Sequence, residues 1–276
     1  MVTVVEGPLG RLGKLPYCTT MTSPVSVVIP SAPKNSFLEE TLRSVAAQTH
    51  EEWEVVLVLD GECEQNRAAA EVLGDRVQVH LTPAPRSGPA VGRNIGLESA
   101  KHDLVAFLDA DDLCTPDRLA RQVQVLTDQP DLGLVGAWAH KIDPDGNQVG
   151  ELHSVTGRAE VARTMLLFNP LITSTIVVRK QLAAEVGGFD PRLVRLEDYD
   201  LWLRLLAKAD GDVIGEELLG YRVHPTQYSR GGLLGPATKL LYRSKQAVAK
   251  RIGVSGAATA AKHAAWLGVQ VANRRW

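Results

Sequence analysis

The chain has 276 residues, 45% of them hydrophobic, enough for one large α/β domain with a real core; Lys and Arg number 30 against 32 Asp and Glu, a formal charge of −2. With no basic stripe in the sequence, nucleic acid is not an expected partner. No run approaches the roughly 20 apolar residues of a membrane span, and residues 1–24 lack the continuous apolar core of a secretory signal, so integral membrane association is not expected either.

Residues 1–24, with Gly7, Pro8, Gly10, Gly13 and Pro16, read as a loose arm. From Val25 onward, apolar runs alternate with helical periods. That is the pattern of strands joined by crossover helices, and so of an α/β domain with a mostly parallel central sheet flanked by helices. Residues 25–30 predict the first strand, closed by Pro30 and Pro33. Ser36 with Glu39 three residues on reads as a capping box, and Leu38, Leu42 and Val45 give the helix behind it a buried stripe. The second strand falls at 54–59, ending in Asp60-Gly61, followed by a helix over 65–73 and a third strand at 77–81. After a stretch rich in Pro and Gly at 83–88 come a helix over 90–100 and a strand over 104–108.

That strand ends in Asp109, Asp111 and Asp112, three carboxylates within four residues. Alternation along an extended chain points Asp109 and Asp111 the same way and Asp112 to the other face or into the next turn. Such crowded like charges are relieved by a hard divalent cation with oxygen ligands. The alternative is a helix entrance, with Thr115 as N-cap, Pro116 at the first helical position and Asp117 in the first turn. Capping accounts for one or two acids, not for three ahead of the cap. In open α/β sheets ligands bind beyond the carboxyl ends of strands, where both Asp60 and Asp109 fall.

Beyond a helix over 116–127, strands at 133–141 and 148–153 flank Asp143-Pro144-Asp145-Gly146, a hairpin signal. A helix over 158–167, a strand at 173–178, a short helix ending at Gly187-Gly188, a helix over 198–208 and a strand at 218–223 follow. From Pro236 the tail is alanine-rich and helical. Cys18, Cys63 and Cys114 are odd in number and lack CxxC spacing, which argues against a disulfide framework or zinc site and fits a reducing, cytoplasmic setting.

Taken together, Val25-Ser26-Val27-Val28-Ile29-Pro30, the helix from Leu38 with Gln48-Thr49, Gly92-Arg93-Asn94-Ile95-Gly96-Leu97, the Asp109 cluster with Pro116-Asp117, Gly187-Gly188-Phe189-Asp190 and Glu197-Asp198-Tyr199-Asp200-Leu201-Trp202-Leu203-Arg204 resemble, in their fixed order, the inverting family 2 glycosyltransferases of the GT-A fold. The resemblance covers residues 25–230. It implies a single domain with a nucleotide-binding half at 25–115 and an acceptor half at 116–230, then a flap and helical tail over 231–276. It also implies a UDP- or dTDP-sugar donor bound around Pro30, Ser31, Asp60, Arg93, Asp109, Ala110 and Asp111, with Arg93 as a phosphate or base-edge contact. The cofactor implied is Mn²⁺ or Mg²⁺ on the donor pyrophosphate, held by Asp111 and, as second ligand, His224; imidazole tilts the choice toward Mn²⁺. Asp198 is implied as the general base of a direct, inverting displacement, with Glu197 beside it.

Residue chemistry fits those roles. A diphosphate leaving group gains negative charge as its bond to the sugar breaks, and a bridging cation stabilises it. A carboxylate at a cleft edge suits removal of the acceptor proton. The family pattern is broken at Leu59, where an acid usually precedes Asp60, and at Ser31-Ala32-Pro33, where the missing aromatic removes a base-stacking platform. Gly231, Gly232 and Gly235 read as the hinge of a flap that excludes water.

Residues 143–169 and the C-terminal helix carry no recognisable motif, leaving the acceptor open among small molecules, glycans and peptides. Lack of membrane spans favours single additions over processive synthesis. Two other readings compete. A nucleotidyltransferase would want a Gly-rich loop with Lys or Arg on a triphosphate after the first strand, where residues 31–36 offer only Lys34. A catalytically silent sugar-nucleotide or glycan-binding module is suggested by Ala32, Pro33 and Leu59 and opposed by the joint presence of Asp109, Asp111 and Asp198. The state of assembly stays open, a homodimer included.

Overall fold

The computed structural model describes residues 23–225 and 236–272; residues 1–22 of the arm and the flap glycines Gly231, Gly232 and Gly235 lie outside the described residues. In the first half, β1 (Val25–Ser31), β2 (Trp53–Leu59), β3 (Val77–Leu81) and β4 (Leu104–Phe107) alternate with α1 (Leu38–Ala46), α2 (Glu64–Ala70) and α3 (Pro89–Ser99). β1 pairs parallel with β2 on one side and with β4 on the other, and β2 pairs parallel with β3. The chain therefore leaves β1 toward β3 and returns to its opposite flank at β4. That reversal opens a crevice past the carboxyl ends of β1 and β4, the place where such sheets bind ligands.

The second half contains β5 (Leu113–Cys114), α4 (Arg118–Asp128), β6 (Leu132–Ile142), β7 (Gln148–Leu152), α5 (Arg158–Met165), β8 (Val177–Arg179), α6 (Lys180–Glu185), α7 (Glu197–Leu206), β9 (Asp210–Arg222), α8 (Pro236–Arg251) and α9 (Gly256–Ala272). The sheet runs β3-β2-β1-β4-β8-β6-β9-β5, with β7 added on β6. β8 is antiparallel to both β4 and β6, while the long β6–β9 ladder is parallel, so the sheet is mostly parallel and its antiparallel pairings sit in this half.

Alternation sends Val25, Val27 and Ile29 of β1 to one face of the sheet, with Leu38 and Leu42 of α1 and Leu119 and Val123 of α4. Val28 goes to the other, with Val105, Phe107, Leu201, Trp202 and Leu205. Both faces are covered, which is why the strands read as continuous apolar runs.

Several local expectations are corrected. Ser36 does not cap α1: the helix opens at Leu38 behind Phe37, whose N–H is taken by Asn35 Oδ1 at 2.9 Å. Thr115 does not cap α4 either, because Leu113 and Cys114 pair with β9 and Thr115 N–H donates to Leu218 O at 3.1 Å, so the chain turns only at Pro116 and Asp117 and α4 opens at Arg118. Within 173–178, Thr173–Thr175 form a 3₁₀ turn and only Val177–Arg179 a strand. β9 begins at Asp210 rather than 218; its Gly- and acid-rich first part masks the strand signal, and pairing with β6 supplies what propensity lacks.

Candidate active site

The site starts with how closely α3 lies on the sheet. A Cβ on Gly96 would stand 2.2 Å from Val28 Cγ1, and one on Gly92 would stand 3.1 Å from Pro30 Cβ. Two glycines one turn apart thus seat the helix directly on β1, and Arg93 between them is carried under the sheet's rim. Its side chain is only 7% exposed. Nη2 donates to Asp109 Oδ1 at 2.7 Å and Nη1 to Glu197 Oε1 at 2.9 Å. Burial works against its charge, but Asp109 and then Glu197 outweigh that and hold the guanidinium charged. Arg93, expected at a phosphate or base edge, gives both terminal nitrogens to carboxylates.

The motifs meet around this bridge. Asn94 donates through Nδ2 to Phe189 O and accepts from Phe189 N–H, both at 2.8 Å. Gly188, at φ +64, brings its backbone so near that a Cβ would sit 2.6 Å from Asn94 Oδ1. Arg204 donates to Gly188 O at 2.7 Å while paired with Asp200 at 2.8 Å. These contacts fix α7 against α3, and with it the two acids at its start.

Leu196, left-handed at φ +65, turns the chain into α7. Glu197 and Asp198 occupy its first turn, where the helix dipole favours negative charge. Glu197 is buried, and that burial, reinforced by the charge of Asp198 and opposed by Arg93, pushes its carboxyl up to about 7. Asp198 is half-buried. Its Oδ2 accepts from Thr173 Oγ1 at 2.9 Å and from Asn169 Nδ2 at 3.4 Å, and its Oδ1 from Tyr199 N–H at 2.6 Å.

Ser174, next to Thr173, accepts the Asp109 N–H on its hydroxyl at 3.1 Å. One short turn therefore orients both the rim acid and the acid of α7. Thr173, Ser174 and Asn169 escaped the sequence reading; the signal was there in Thr173-Ser174-Thr175, three hydroxyls inside an apolar run that a plain buried strand would not need.

On the rim, Asp111 Oδ2 lies 2.9 Å from His224 Nε2, and the ring of His224 packs against Phe37. Burial first, then the charge of Asp109, raise the Asp111 carboxyl above its ordinary range, the mark of a place where positive charge is in demand. Asp112 turns inward through the turn at residues 110–111, its N–H donating to Asp109 O at 3.2 Å. It is fully buried, accepts the Arg222 N–H at 2.9 Å, and is held well above the usual carboxylate range by burial and then by Asp111 and Asp109. Arg222 donates to Asp111 O at 2.8 Å, Pro144 O at 2.6 Å and Glu40 Oε2 at 2.7 Å, tying the end of β9 to the rim two residues before His224.

Pro30 and Ser31 end β1 beside Gly92, with Ser31 buried and its hydroxyl accepting from Asn66 at 3.3 Å. Ala110 is buried, and its carbonyl accepts from Asn35 at 3.1 Å and Thr41 at 3.0 Å. Asp60 stands apart at the end of β2. It accepts from Thr82 Oγ1 at 2.9 Å, Ser87 N–H at 2.9 Å and Gly88 N–H at 3.1 Å, holding the loop that leads into α3.

No group of three or more His, Cys, Asp and Glu forms a ready metal cage among the described residues. The rim still fits a divalent cation. Mg²⁺-type ions are usually held by one or two carboxylates with substrate phosphates and water completing the shell; Asp111 is such a carboxylate, and the imidazole of His224 beside it is a nitrogen donor better suited to Mn²⁺ than to Mg²⁺.

The family model described as Glycosyl transferase family 2 matches residues 26–186, more than half of the chain. An uncharacterized glycosyltransferase of Methanocaldococcus jannaschii is 27% identical over 194 residues, covering 68% of this chain and 66% of that protein. The amylovoran biosynthesis glycosyltransferase AmsE of Erwinia amylovora is 29% identical over 185 residues, covering 66% and 68%. The chain thus spans about two thirds of the length of these relatives. The crystal structure of S. aureus TarS in complex with UDP-GlcNAc shares the fold, with a TM-score of 0.69 at 19% identity over 88% of this chain and 71% of that one. With a family model laid over the sheet whose rim gathers these acids, the chain belongs to the family 2 glycosyltransferases and has the GT-A architecture expected of them.

Proposed function

We propose that this glycosyltransferase moves a sugar from a nucleoside diphosphate donor to an acceptor hydroxyl or amine with inversion, aided by Mn²⁺ or Mg²⁺. The observation that carries the reading is the continuous path Asp109–Arg93–Glu197 beside Asp198, which joins the rim of the donor half to the first turn of α7. The complexes of TarS with UDP and with UDP-GlcNAc support a uridine donor. A thymidine donor is chemically equivalent at the base edge Asp60 would read.

In this reading Asp109 and Ala110 border the nucleotide, and Asp111 with His224 would hold the cation. When bound, that cation would neutralise charge on the departing diphosphate. Arg93 keeps Asp109 in place and, through Glu197, fixes the start of α7. Thr173 and Asn169 orient Asp198, whose carboxylate takes the proton of the acceptor as its oxygen or nitrogen attacks the anomeric carbon from the face opposite the diphosphate. The acceptor is a small molecule, glycan or peptide reaching the crevice from the α7 side.

Asp198→Asn keeps the shape and removes the base. It is expected to slow transfer about 10²-fold or more while nucleotide binding stays at the wild-type level. Turnover close to wild type, followed by release of the nucleoside diphosphate, would assign proton removal elsewhere.

A further inference from the structure

Residues 236–276 hold eight Lys and Arg and no Asp or Glu, whereas residues 1–235 hold 22 Lys and Arg against 32 acids. The near-zero net charge hides an acidic body with a basic C-terminal segment, and the structure gives that segment the basic stripe that the whole-chain balance does not reveal. Lys245 is buried, donating to Leu167 O at 3.2 Å beside the rings of Tyr199 and Trp266, and Arg251 is paired with Asp210. Lys239, Arg243 and Lys250 differ. They line one side of α8 at spacings of four and seven residues, are exposed, and make no ion pair among the described residues. Next to them, α9 buries Thr259, His263 and Trp266 and turns alanines outward, with Val269 and Val271 left 54% and 46% exposed.

We infer that the α8–α9 pair is a docking surface for an anionic lipid bilayer. Unpaired cations on one helix attract acidic headgroups, and the small apolar side chains of its neighbour can enter the boundary beneath them. A second copy of the chain fits poorly, since two such basic surfaces repel one another. Nucleic acid would use the same cations but gains nothing from exposed valines. No helix among the described residues is long and apolar enough to cross a membrane, so the contact is peripheral. α8 packs along α7, and docking through it would set the helix that bears Glu197 and Asp198 close to the lipid surface.

Flotation of the full chain with vesicles tests it. The protein is expected to rise with vesicles of phosphatidylglycerol and phosphatidylcholine in equal parts, to stay behind with phosphatidylcholine alone, and to be released by salt. A Lys239→Gln, Arg243→Gln, Lys250→Gln variant, with its fold checked by thermal melting, should partition about 10²-fold more weakly. Failure to bind either vesicle, equal binding to both, or undiminished binding of the triple variant would overturn the inference. So would a single-stranded RNA complex, or a dimer by sedimentation, that is sensitive to the triple variant while vesicles are ignored.

Discussion

Arg93 is the residue on which the site turns. A guanidinium placed between two carboxylates and shut away from water is costly to build and far more costly to leave with neither carboxylate. Its 2.7 and 2.9 Å contacts with Asp109 and Glu197 join residues 16 and 104 positions away in the chain. Glu197 carries a measurable consequence. In the unfolded chain it releases its proton near the ordinary 4.5, in the fold only near about 7, chiefly because it is buried. Between those values the native state holds the extra proton, so this group's contribution to stability falls as pH rises from about 4.5 through about 7. Glu197→Gln mimics the protonated form. Its melting temperature should match wild type at the acid end of that window and gain on wild type toward the alkaline end; parallel melting curves across the window would show that burial does not govern Glu197. At this scale the motif order pointed to Asp109, Asp111, Glu197 and Asp198, and in the fold Asp109 and Glu197 share Arg93 with Asp198 beside them. It did not disclose that Arg93 faces carboxylates, or that Thr173 and Asn169 hold Asp198, because those pairings are long-range and leave no local period.

Between elements, the closest fit in the first half of the chain is α3 on β1. Val28 lies in the central strand pair and cannot retreat, so Gly96→Ala should cost about 1–3 kcal/mol, the scale of overpacking a well-filled core. Urea unfolding would report it; an unchanged midpoint would mean that helix and strand separate more readily than their spacing suggests. Strands such as β1 and β2 were legible because buried runs ended in Pro, Asp or Gly leave little choice. The starts of α1 and α4 were not. Ser36 and Thr115 have the right residue types, but Asn35 captures the turn before α1, and the pairing of β5 with β9 holds Thr115 extended. β9 failed for a related reason: Asp210-Gly211-Asp212 and Gly215-Glu216-Glu217 look like loop until β6 lies alongside. Long-range pairing decided α4 and β9 against local propensity, and a two-residue turn at Asn35 decided α1.

For the whole molecule, the reversal of strand order at β1 and β4 brings Asp109, just past β4, and Glu197 of α7 to the two sides of Arg93. The family, the fold and the motif order were all readable from the sequence. The basic face of α8 was not, since its cations balance acids elsewhere and only the helical register aligns them. The functional reading needs the rim to hold a nucleoside diphosphate through a cation bound by Asp111. Calorimetric titration of UDP-GlcNAc into the protein, with and without Mn²⁺, tests that need most directly. Binding should require Mn²⁺ in the wild type, persist in Asp198→Asn, and be lost in Asp111→Asn; equal affinity with and without the metal, or an Asp111→Asn protein that binds as wild type does in Mn²⁺, would contradict it.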